Sequence, residues 1–60
     1  MMTTEIYRKM MQDAAKTKTA DELDWVNKQM LAAKQITTSQ YLMIAEGLVQ
    51  HKLWGKPISF

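Results

Sequence analysis

Few side chains in this sequence could do chemistry: a single histidine, His51, six carboxylates and no cysteine. An unperturbed imidazole has its pKa near neutrality, so a histidine is the residue type that could act as a general base. That work needs a nucleophile to activate and a carboxylate to orient the ring. No Ser, Cys or acidic residue stands at a helical offset that would bring it beside His51. Next to Lys52 at the end of a helical segment, His51 is better read as a cation complementing the negative end of the helix dipole. One His and no Cys give no ligand set for structural zinc. Asp21, Glu22 and Asp24 form the one acidic cluster, but they lack the alternating oxygen ligands and mid-loop glycine of a calcium loop. They also fall at a helix N-terminus, where carboxylates are favoured without a metal. The sequence therefore leads us to expect a non-enzymatic protein with no metal and no cofactor.

Size constrains the elements that would position any site. A chain of 60 residues and 7.0 kDa buries only about 60% of the surface its unfolded form exposes. With neither disulfide nor metal, association with itself or with another protein is the remaining source of support. The segment Met1 to Lys9 carries Glu5, Arg8 and Lys9 among its apolar residues and lacks the apolar run of a signal peptide. No window approaches the ~18 apolar residues of a membrane span. A cytoplasmic protein with no membrane partner is the expectation. The pI of 9.1 reflects a net charge of +2 on a short chain and says little about partners.

Apolar periodicity and terminal signals divide the chain into one domain, residues 1–60, with helices at about 4–15, 20–34 and 38–54 and a tail at 55–60. In the first, Ile6, Tyr7, Met10, Met11 and Ala14 share one side, and Thr3 or Thr4 can cap the start. The second opens on Thr19 and Glu22, a capping-box pair, with Leu23, Val26, Met30 and Ala33 as its core stripe. The third opens on a second capping box, Thr37 and Gln40, with Ile36 and Tyr41 placed as a hydrophobic staple. Its apolar face is expected to comprise Tyr41, Leu42, Ile44, Ala45, Leu48, Val49 and Leu53. Gly55 offers a positive-φ C-cap, and Pro57 blocks continuation. Short connections make neighbouring helices antiparallel. The fold class is thus all-α, a small three-helix bundle made of a helical hairpin plus an N-terminal helix.

The second and third helices resemble a helix-turn-helix outline, which raises DNA binding as an alternative. The would-be reading helix presents Thr38, Ser39 and Gln40 and then turns apolar, and basic residues are scattered as singletons. Both features argue against nucleic acid. The apolar residues left outside the core stripes are more informative. Trp25 points some 120° from the Leu23/Val26/Met30 face. Met43, Gly47, Gln50 and Trp54 make a second, narrow stripe on the third helix. A helical glycine costs about 1 kcal/mol relative to alanine, so Gly47 implies the close approach of something: a partner helix, or the chain's own first helix. Ile58 and Phe60 add apolar side chains in the tail, which either folds back or reaches another chain. The candidate interaction residues are therefore Trp25, Met43, Gly47, Trp54, Ile58 and Phe60.

The stretch from Asp21 to Val49 resembles the SHOCT family of short helical hairpins through Leu23, Ile36, Thr37, Tyr41, Leu48 and Val49. It departs from that pattern at Lys34, where the family has a turn glycine, and in its more apolar second helix. The resemblance implies an oligomerisation or protein-binding module. The general style also resembles small accessory proteins of bacteriophages and mobile elements, which would imply an inhibitor or adaptor of a larger host or phage protein. The sequence reading is a protein–protein interaction module that forms a homo-oligomer.

Overall fold

Each helix begins where a threonine hydroxyl can accept a free N–H of its first turn. In a computed structural model describing residues 1–60, α1 spans Thr4–Ala14, α2 spans Ala20–Ala32 and α3 spans Thr38–Trp54. Thr3 accepts from the Ile6 N–H. At α2 and α3 the reciprocal boxes are complete: Thr19 with Glu22, and Thr37 with Gln40. The fold is all-α, three helices without strands, as the periodicity requires.

The side-chain bonds fix the helix directions. Lys52, near the end of α3, pairs with Asp21 at the start of α2 at 3.2 Å, so these two helices run antiparallel. Gln40, at the start of α3, donates to the Met2 carbonyl and the Thr4 hydroxyl at 2.9 and 3.2 Å, so α1 runs parallel to α3. The result is an up-down-up bundle, 31 × 17 × 16 Å.

The core consists of Tyr7 and Met11 from α1, Leu23 from α2, Ile36 from the second loop, and Ile44 and Leu48 from α3. Two polar side chains are buried with them. Asn27 accepts from the Tyr7 hydroxyl at 2.5 Å and donates to the Tyr41 carbonyl at 3.0 Å, so one amide joins all three helices. Gln40 closes the α3 capping box through its Oε1, which accepts from the Thr37 N–H at 2.8 Å. No buried side-chain polar atom lacks a partner, which is the condition for a polar core to be tolerated in so small a bundle.

Several expectations are corrected here. The first helix ends one residue early, at Ala14, and the second two residues early, at Ala32. The latter stops in a Schellman turn: the Gln35 N–H bonds the Met30 carbonyl and the Lys34 N–H the Leu31 carbonyl, both at 3.0 Å. Lys34 sits at φ 58°, where glycine is the usual occupant. Ile6 and Ala33 are exposed rather than in the core. So are Leu42, Val49 and Leu53, because the inward side of α3 is centred on Gln40, Ile44 and Leu48. Apolar residues occur on nearly every side of α3, so periodicity alone could not orient it.

Candidate interaction surface

The α2–α3 pair forms a layer with α1 on one side and solvent on the other. On α3, the core residues Gln40, Ile44 and Leu48 face α1 and α2. Leu42, Val49 and Leu53, within about 40° of one another at 100° per residue, point the opposite way. On α2, Trp25 stands some 160–200° from Leu23 and Asn27. The Asp21–Lys52 pair closes the seam between the helices, and Trp25 follows Asp21 by one turn along the same side. The outer face thus carries Trp25, Leu42, Val49 and Leu53, which are 63%, 57%, 47% and 66% exposed. Sequence reasoning found Trp25 from its offset. It missed the other three by assigning them to the core.

Around this face lie Asp21, Lys28, Glu46 and Lys52, two charges of each sign and all exposed. Lys28 pairs with Asp24 at 3.1 Å, and that carboxylate holds the Lys28 ammonium above its ordinary pKa through a hydrogen bond and direct charge attraction. Glu22 lies below the usual carboxylate range because the Thr19 backbone N–H, and then its hydroxyl, bond the ionised form. Every member of the acidic cluster therefore has a structural partner, and no three His, Asp or Glu side chains converge as a metal-holding group.

The remaining candidates meet on the other side of α3. Gly55 adopts φ 66° and turns the chain back, so that Ile58 and Phe60 pack against the core from outside. Gly47 lies directly beside this return: a Cβ there would lie 2.6 Å from both the Ser59 carbonyl oxygen and the Phe60 ring. The expected reason for this glycine, close approach of a helix, is corrected. The neighbour is the tail, which lies between Gln12 of α1 and the Gly47–His51 side of α3. Gln12 holds it at two points, donating to the Ile58 carbonyl and accepting from the Phe60 N–H, both at 2.9 Å. That spacing is how a β-strand edge would meet it. His51 Nδ1 lies 2.6 Å from the Lys56 carbonyl, and since a carbonyl only accepts, Nδ1 carries the proton. Met43 and Gly47 are half-buried, while Trp54 stands exposed at the end of α3, roughly 100° round from Leu53. The six candidates therefore do not form one patch. Met43, Gly47, Ile58 and Phe60 come together, and Trp25 and Trp54 stand apart from them.

Compared with protein-family models, curated proteins and solved structures, the chain shows no match. The SHOCT-like resemblance of residues 21–49 rests on its own quoted residues. No helix is long and apolar enough to cross a membrane.

Proposed function

We propose that this protein is a small self-associating interaction module, and that its contact face is the outer side of the α2–α3 layer. The observation that carries this reading is the position of Trp25, Leu42, Val49 and Leu53, four large apolar side chains left in water on one side of a 60-residue chain. Contiguous apolar surface of this kind marks contact sites on small proteins, and aromatic residues are favoured at the centre of such contacts.

A second copy is the occupant that the charges favour. Asp21 with Lys52 and Asp24 with Lys28 are paired within the chain around the face, so it carries no strong excess of one sign and does not repel a second copy of itself across a two-fold axis. A face built for a strongly charged partner would carry one sign. A standard contact covers about 800 Å² per partner, about a fifth of the 4113 Å² surface of this chain.

Binding rather than catalysis is further supported by how the reactive groups are used. His51 is bonded to the Lys56 carbonyl, Asp21 to Lys52, Glu22 to Thr19 and Asp24 to Lys28. Absolute mass across a concentration series tests the proposal: a dimer supports it. A chain that stays monomeric overturns self-association and leaves the adaptor reading, in which the face covers part of a larger protein.

A further inference from the structure

The groove that receives the tail has a chemistry separate from the outer face. Its contacts are directed mainly at main-chain atoms: Gln12 at the Ile58 carbonyl and the Phe60 N–H, His51 at the Lys56 carbonyl, and Gly47 at the Ser59 carbonyl through its missing side chain. Main-chain hydrogen bonds with side-chain pockets at alternate positions are how proteins bind extended peptides in general. Here the alternate positions are Ile58 and Phe60. We propose that the α1–α3 groove is a docking site for an extended segment, and that residues 56–60 of a second copy take there the place the chain's own residues occupy.

Two features of the tail support exchange. Its connection to α3 is a single joint, Gly55, a positive-φ glycine around which nothing lies within 4 Å of where a Cβ would be, so rotation at the joint meets no side chain there. Pro57 fixes its own φ and biases Lys56 before it toward extended backbone. A cleft of about 440 Å³ opens beside the tail, bordered on α3 by Met43, Glu46 and Gln50. Passing from the chain's own groove to a neighbour's preserves every contact and alters only the joint, which is the condition for segment exchange between identical chains.

The test uses two full-length variants. A nitrogen-labelled chain carrying Ile58→Ser and Phe60→Ser keeps its groove but gives up its tail contacts. An unlabelled chain carrying Gly47→Leu has an obstructed groove and a free, intact tail. Titration of the second into the first, followed by NMR, should give saturable shifts at the Gln12 side-chain amide and the Gly47 backbone amide. No shifts should appear when the added chain also lacks Ile58 and Phe60. Equal shifts with both additions, or none with either, would overturn the proposal. Association through the outer face would move residues around Val49 equally in both titrations, which keeps the two readings distinguishable. If the doubly substituted chain does not fold, Phe60→Ala alone serves as the labelled partner.

Discussion

The Tyr7 hydroxyl donates to Asn27 Oδ1 at 2.5 Å, with both side chains fully buried. Because Asn27 also donates to the Tyr41 carbonyl, this pair sets the register of α1 against the α2–α3 layer. Tyr7→Phe keeps the ring and leaves the Asn27 oxygen without its donor, at a cost of about 1–3 kcal/mol. Denaturant unfolding should show that loss as a lower midpoint with an unchanged slope. A midpoint equal to the wild type would mean that the pair carries no stability.

Burial pushes the Tyr7 hydroxyl up to about 12 from 10. The unfolded chain therefore releases this proton first as pH rises. The stability Tyr7 contributes is intact below pH 10 and falls between pH 10 and pH 12, by about 1 kcal/mol per pH unit. Comparing wild type with Tyr7→Phe isolates the effect: the alkaline slope of unfolding free energy should be shallower by one proton in the variant. Parallel slopes would contradict the burial of this group.

At Gly47 two effects oppose. Alanine gains about 1 kcal/mol of helix propensity, but its Cβ would collide with the Ser59 carbonyl and the Phe60 ring. Gly47→Ala should therefore keep or raise helix content while the amide of Phe60, which donates to Gln12, loses its protection against hydrogen exchange. Retained protection would show that the tail is not seated against this glycine.

Lys34 holds a left-handed conformation at φ 58° in the Schellman turn. Glycine adopts it without the steric penalty of a side chain, so Lys34→Gly should stabilise the protein by about 0.5–1 kcal/mol. In a chain this small, 1 kcal/mol raises the melting temperature by roughly 4–8 °C. A lower melting temperature would contradict the assignment of the turn.

What the sequence made legible is what local chemistry decides. Thr19 with Glu22, Thr37 with Gln40, and Gly55 before Pro57 each act within a few residues, and the helix boundaries they mark are those observed. The inward side of α3 was not legible. Its centre includes Gln40, a polar residue whose burial depends on the Met2 carbonyl and the Thr4 hydroxyl far away in sequence. Asn27 was hidden for the same reason, since only Tyr7 and the Tyr41 carbonyl make its burial affordable. Gly47 announced a close neighbour, but nothing near it in sequence names Phe60 as that neighbour.

In the proposed dimer, Trp25, Leu42, Val49 and Leu53 form the face between the two copies. Light scattering after size exclusion, run on the wild type and on Val49→Lys across concentrations into the millimolar range, tests it most directly. Val49 is 47% exposed, so a lysine there can reach water in the monomer but places a charge at the centre of the contact. The wild-type mass should rise to twice the chain mass with concentration, and the variant, with unchanged helix content, should stay at the single-chain mass throughout. A wild type that remains monomeric, or a variant that dimerises equally well, would contradict it.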